Sequence, residues 1–232
     1  MTLLTLCQKV ADETGFNRPS SIVTATDQLA RQLLALANET IAELCEDHDW
    51  PALRVPATIN TVNGQASYTF PSDYARLVPE ALWDNGANTP LRGAESATEW
   101  SVPSTYLYPV YGHRFRIFQT PLKLFIDPVP VSVQALYYEY ITSKPVVQDD
   151  GTASTEFTRD TDTSKVSERL VRMGLKWRIK HAKGMDYAED FNKYEKSRKD
   201  MYSKALALGS IPISSRPSSE LTEPYVPTQG FG

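Results

Sequence analysis

Cysteine and histidine are scarce, with two Cys and three His in 232 residues. Cys7 and Cys45 are too few for a disulfide framework in a chain of this length. Both fall on apolar stripes of predicted helices, where a reduced thiol packs as a small hydrophobe, a reading preferred to a redox or metal role. His48, His113 and His181 are far apart in sequence, and no HExxH, CxxC, GxSxG, phosphate-loop or GxGxxG pattern occurs. No apolar run approaches the ~20 residues of a bilayer-spanning helix. The opening MTLLTLCQKVADETGF lacks the basic n-region and small-residue cleavage site of a secretory signal. Neither sign of charge dominates, since 24 Lys and Arg stand against 28 Asp and Glu for a net of −4. A hydrophobic share of 41% with 10% aromatics is enough for one large core or two small ones and excludes a wholly disordered chain.

What is present reads as helix, strands, helix and a loose end. Leu3, Leu6, Cys7, Val10 and Ala11 recur at helical spacing over 2–14, and Gly15 stands where a left-handed cap is needed. A second helix is expected over about 25–49 from Leu29, Leu33, Leu36, Ala37, Ile41, Leu44 and Cys45, capped by Thr24 or Thr26 and stopped by Pro51. From about 54 the period becomes two. Thr58–Val62 and Gln65–Phe70 flank Asn63-Gly64, which predicts a two-residue hairpin. Further strands are expected at Ala81–Trp83, Tyr106–Tyr108, Arg114–Phe118, Leu122–Ile126 and Val133–Ile141, with prolines confined to the gaps. Residues 143–164 are polar and aperiodic, and read as a long mobile loop. A helix over 165–183 and a second after Gly184 form an αα-hairpin, the second opened by an Asp186/Glu189 capping box. Gly209–Gly232 contains 4 Pro, 5 Ser and 3 Gly, so no helix or core strand is expected there. Its spaced Ile211, Ile213, Leu221, Tyr225, Val226 and Phe231 would serve no purpose in a solvated linker.

These elements predict an α+β fold. N- and C-terminal helices each expose one apolar face and pack into a helical bundle, with an antiparallel β-rich domain inserted between them and an extended C-terminal arm. The expected organisation is 1–53 N-terminal helices, 54–145 β-rich insertion, 146–164 flexible loop, 165–208 C-terminal helical hairpin and 209–232 arm.

Chemistry is hard to find. His48 beside Asp47 and Asp49 is placed at a helix C-terminus, where a histidine suits the dipole. Asp160-x-Asp162 with Asp149 and Asp150 could suggest a divalent-metal loop, but the third ligand, central Gly and terminal Glu of a calcium loop are missing. Thr161, Asp162, Thr163 and Ser164 read better as helix caps. No catalytic residue, metal or cofactor is expected. Charge is uneven: 165–204 carries 12 Lys and Arg against 6 Asp and Glu. Arg169, Arg172, Lys176, Arg178 and Lys180 form a candidate basic face for phosphates or an acidic protein surface, weighed against an ordinary solvated helix face.

Four stretches, in this order, carry a resemblance. They are LLALANETIAELCEDHDWPALR (33–54), TVNGQASYTFPSDYARL (61–77), FRIFQTPLKLFIDPVPVSVQALYYEYITSKP (115–145) and DTDTSKVSERLVRMGLKWRIKHAKGMDYAEDFNKYE (160–195). Together they resemble the head-to-tail adaptor (connector) proteins of tailed bacteriophages, of the tail-tubular-A-like and tail-accessory-factor-like types. The resemblance implies a structural, non-enzymatic virion protein of the neck, made in the host bacterial cytoplasm. It implies a homo-oligomeric ring, usually of twelve, below the portal protein. Such a ring extends the DNA channel without specific DNA recognition, offers a platform to a downstream tail or stopper protein, and has no membrane partner. The family's C-terminal arm commonly docks on the portal or a neighbouring subunit, which assigns that role to Ile211, Ile213, Leu221, Tyr225, Val226 and Phe231. Two alternatives stay open from the residues. One is a non-specific nucleic-acid binder using the basic hairpin. The other, ranked last, is a cell-wall glycan hydrolase using two carboxylates.

Overall fold

The computed structural model describes residues 1–102 and 112–209, excepting the side chains of 206–209. The expected strand Tyr106–Tyr108 and the six arm residues Ile211, Ile213, Leu221, Tyr225, Val226 and Phe231 lie outside the described residues. The rest is α+β, with antiparallel sheets set between N-terminal and C-terminal helices.

Helix α1 (Leu3–Thr14) is capped by Thr2, whose side chain accepts from the Thr5 N–H, and is closed by Gly15 at φ 76°. Helix α2 (Gln28–Asp47) starts later than the periodicity suggested. Its cap is Asp27, not Thr24 or Thr26, and His48 closes its C-terminus. The carboxylate of Asp27 accepts from the Ala30 N–H at 3.3 Å, beside the positive end of the helix dipole. A 3-10 turn, Pro51–Leu53, then leads into the sheets.

Among the described residues eleven short strands follow: β1 (Arg54–Asn60), β2 (Ser67–Thr69), β3 (Tyr74–Leu77), β4 (Trp83–Asp84), β5 (Thr89–Pro90), β6 (Arg114–Gln119), β7 (Leu122–Asp127), β8 (Ala135–Thr142), β9 (Val146–Val147), β10 (Ala153–Ser154) and β11 (Thr163–Ser164). A short helix, α3 (Ala97–Trp100), precedes β6 and carries a Ser96/Glu99 capping box. Strand β8 is the spine. It pairs along its length with β1, from Arg54↔Ile141 to Asn60↔Ala135, and its other edge takes both β3 and β4. Strands β2, β7 and β6 make a second sheet.

The expected hairpin is therefore not formed. Asn63-Gly64 does make a turn, with Gly64 at φ 79°, but β1 and β2 diverge from it into different sheets. Strand β1 gains seven residue pairs with β8, more than the three-residue β2 offers, and longer pairing wins.

Residues 143–164 also differ from the expected mobile loop. Strands β10, β9 and β11 form a small sheet there, and Val146, Phe157 and Asp162 are fully or almost fully buried. The two aspartates of the D-x-D motif hold this segment in place. Asp160 accepts from the Ile22 N–H (3.0 Å), the Val23 N–H (2.9 Å) and the Ser21 hydroxyl (2.7 Å). Asp162 accepts from the N–H groups of Thr158 (2.7 Å) and Arg159 (2.8 Å). The backbone carbonyl of Asp162 takes the Leu3 N–H at 2.8 Å, and Thr2 bridges Thr163. Asp162 was expected to cap the following helix; its carboxylate stabilises the turn before it instead.

That helix, α4 (Glu168–Ala182), starts three residues later than expected. Helix α5 (Ala188–Gly209) completes the antiparallel pair. Asp186 accepts from the Ala188 N–H at 3.2 Å, while Glu189 pairs with Lys193 at 2.6 Å, so the reciprocal half of the expected capping box is not made.

Two cores result. The helical core joins Leu3, Leu6, Val10, Leu33, Ile41, Leu44, Leu170, Leu175, Ile179 and Tyr194, and reaches Ile141 at the end of β8. The second core lies in the sheets around Tyr68, Phe115, Leu124, Ile126, Leu136, Tyr138 and Tyr140. Side chains alternate along a strand, so one face of β8 supplies 136, 138 and 140 to the sheet core. Its last turn of the pleat gives Ile141 to the helices.

Candidate functional site

Helices α4 and α5 present three surfaces. The first is the candidate basic face, and its residues are mostly engaged. Arg172 and Lys176 both reach Glu13 of α1 at 3.1 Å, and Lys176 also reaches Asp190 at 3.3 Å. Lys180 pairs with Asp190 on the other carboxylate oxygen. Arg178 is only 5% exposed. It donates to Glu43 of α2 and, at 3.2 Å, to the Thr40 hydroxyl. Glu43 also takes Arg198 at 3.2 Å, so one α2 carboxylate joins α4 to α5. Arg169 is exposed. The structure therefore brings Arg169, Arg172 and Lys176 to one concavity of about 360 Å³, shared with Lys193, Glu13 and Asp190, and places Arg178 inside the bundle.

The charges in this concavity perturb one another. Burial opposes ionisation of Asp190, but the hydrogen bonds and charges of Lys180 and Lys176 outweigh it and hold the carboxyl below its usual range. Lys176 moves the other way: burial lowers it, while Glu13 and Asp190 together raise it. Four of the five cations carry acidic partners, leaving little free positive charge for a phosphate backbone.

The second surface is aromatic. Trp177 of α4 meets Phe191 of α5 edge-on at 5.1 Å, and His181 meets Tyr187 at 4.8 Å. Tyr187 and Phe191 remain over a third exposed. The third is an apolar groove at the far end of α5, beside Trp50 and Met201.

The sheets add a fourth feature, absent from the sequence reading. Thr61 is hydrogen-bonded to Ser132 and Gln134, and the Gly64 N–H donates to Pro130 O at 2.9 Å. This ties the Asn63-Gly64 turn to the β7–β8 connection. Val62, Val129, Val131 and Val133 project from the joined loops at 50%, 41%, 82% and 73% exposure. Four exposed valines thus sit on one hydrogen-bonded pair of loops. The alternating D-P-V-P-V-S-V sequence could have signalled it.

Arg114 was read only as a strand residue, yet it is 4% exposed and organises the segment before 103. It donates to Asp127 (2.6 Å), Glu95 (3.1 Å) and the carbonyls of Glu99 (3.0 Å) and Val102 (2.6 Å). A buried guanidinium with this many acceptors satisfies the requirement that a buried charge be fully paired.

The three histidines are each engaged with a different neighbour. His48 stacks on Tyr202 at 3.8 Å, His113 approaches Asp84 at 3.5 Å and His181 lies in the last turn of α4. Burial pushes the thiols of Cys7 and Cys45 up to about 12, so both are protonated near neutral pH. Among the described residues no group of three His, Cys, Asp or Glu could hold a metal ion, and no helix is long and apolar enough to cross a membrane.

No curated protein matches the chain. A family model described as SU10 adaptor protein matches residues 1–223. Its span covers both cores and all the surfaces above, and the chain accordingly belongs to the SU10 adaptor protein family, a phage head-to-tail adaptor family of structural proteins.

Proposed function

We propose that this protein is one subunit of a head-to-tail adaptor ring, usually of twelve, that docks under the portal protein in the virion neck. The ring extends the DNA channel without reading sequence and gives a downstream tail or stopper protein its platform. The observation that carries this reading is the family match over residues 1–223. The exposed valines 62, 129, 131 and 133 fit a platform contact, and the cross-braced bundle fits a subunit that transmits load. The arm residues Ile211, Ile213, Leu221, Tyr225, Val226 and Phe231 anchor the subunit to portal or neighbour. The 24-residue arm Gly209–Gly232 reaches at most ~80 Å, and many modest anchors repeated around a closed ring add by avidity.

Mass measurement of the purified chain, alone and mixed with its portal protein, tests this. A defined ring on the portal is expected, and it should be lost when the chain ends at Gly209. A chain that leaves the portal unbound, or a shortened chain that still gives intact virions, overturns the reading.

A further inference from the structure

The groove at the end of α5 is a concavity of about 350 Å³ lined by Trp50, Pro51, Ala52, Val166, Met201 and Ala205. Its polar lining residues are Ser167 and Lys204. Trp50 and Val166 are buried, and the Trp50 indole N–H is already spent on the Leu44 carbonyl at 2.5 Å. Apart from Ser167 and Lys204 the groove offers apolar surface, and the buried indole N–H is already paired, so it suits aliphatic side chains better than a polar ligand.

The chain itself supplies such side chains next to it. Helix α5 ends at Gly209, four residues beyond Ala205. Four helical residues advance ~6 Å. Ile211 and Ile213 follow two and four residues after Gly209, within ~7 and ~13 Å of extended chain. That is enough to turn back over the last helical turn. In an extended segment residues two apart point to one side, so both isoleucines can face the groove together. Pro212 between them has no N–H and a fixed φ, which lowers the order lost on docking and keeps the helix from continuing. A segment joined this closely sits at millimolar effective concentration, far above what a second copy reaches in dilute solution.

We infer that in the free protein the groove beside Trp50 and Met201 is occupied by Ile211 and Ile213 of the same chain. The first part of the arm is thus parked on its own subunit and leaves the groove only when a better partner is offered. The inference concerns the isolated chain and extends the arm reading above. Failure of portal docking would leave it standing, and its own failure would leave portal docking untouched.

Cysteine pairing tests it in the full chain. Ala205→Cys with Ile213→Cys places one thiol in the groove. Ser203→Cys with Ile213→Cys places it on an exposed position of the same helix at similar separation. Cys7 and Cys45 stay protonated and compete little. Parking in cis gives an intramolecular disulfide that forms roughly tenfold faster for the groove pair than for the control, as a raised effective concentration requires. Equal rates overturn the inference, and so does a disulfide-linked dimer, which would make the occupant a second copy. A second readout leaves the groove unaltered. Peroxide oxidation of Met201 is compared with that of exposed Met185 in the parent chain and in the full-length Ile211→Asp/Ile213→Asp variant. Met201 should oxidise severalfold faster in the variant, and an unchanged ratio overturns the proposal.

Discussion

Arg178 shows how far a residue's chemistry depends on what faces it. On sequence it is one of a run of cations. In the fold it is buried between Glu43 and Thr40. Arg178→Ala should cost about 2 kcal/mol in chemical denaturation, the usual loss for hydrogen bonds to a charged group, since Arg198 still holds Glu43. Arg172→Ala, whose pair with Glu13 is about one-third exposed on both sides, should cost under about 1 kcal/mol. The partners are what sequence could not supply, because Glu13 and Glu43 lie more than 130 residues from the cations they meet. Asp160 carries a pH dependence. Burial opposes its ionisation, but the bonds from Ser21, Val23 and Ile22 outweigh this and hold its carboxyl below the usual range. A depressed folded pKa adds stability above the unfolded value and loses it as pH falls through the folded one. Stability should therefore fall below about pH 4, and Asp160→Asn should be less stable at neutral pH and show a shallower acid decline. Equal acid slopes in the two proteins would refute this role.

Among the elements, α4 carries the tightest constraint. Gly174 lies in its middle, where glycine costs ~1 kcal/mol relative to alanine. A Cβ there would come within 2.4 Å of Thr40 Cγ2 and 3.1 Å of Tyr194 Cε2. The cost of glycine is offset by the close approach of α4 to α2 and α5. Gly174→Ala should destabilise by about 1–3 kcal/mol despite its better helix propensity, read from the denaturation midpoint. The valine-bearing loops behave oppositely. Val131→Asp with Val133→Asp should leave the melting temperature unchanged, both side chains being exposed, and weaken attachment of the next tail component in a pull-down. Helices were legible because their periodicity is local: α1 and its Gly15 cap stand where the spacing put them. Strand pairing was not, because the Asn63-Gly64 signal describes a turn and not the partner each flanking strand takes. Nor were the short strands of 146–164, whose stability comes from Asp160 and Asp162 bonds that reach outside the usual period-two pattern.

For the whole molecule, β8 decides how the two cores relate. It gives Leu136, Tyr138 and Tyr140 to the sheet core and Ile141 to the helical one. Opening either core exposes part of this strand, so the two should unfold together. Far-ultraviolet dichroism and tryptophan fluorescence are expected to give coincident transitions, with the β8 amides among the slowest to exchange. Separated transitions would show that the cores are independent.

The seat of α1 has a consequence for how the protein is made. Leu3 and Leu4 donate to the carbonyls of Asp162 and Asp160, and the helix packs against α4. A ribosome adding ~5–20 residues per second needs on the order of ten seconds to reach those residues. Throughout that interval the nascent amino-terminal helix has an apolar stripe and no place to bury it. Helix α1 therefore settles only after residues 160–162 have emerged, and until then its apolar stripe is a surface for a chaperone to cover.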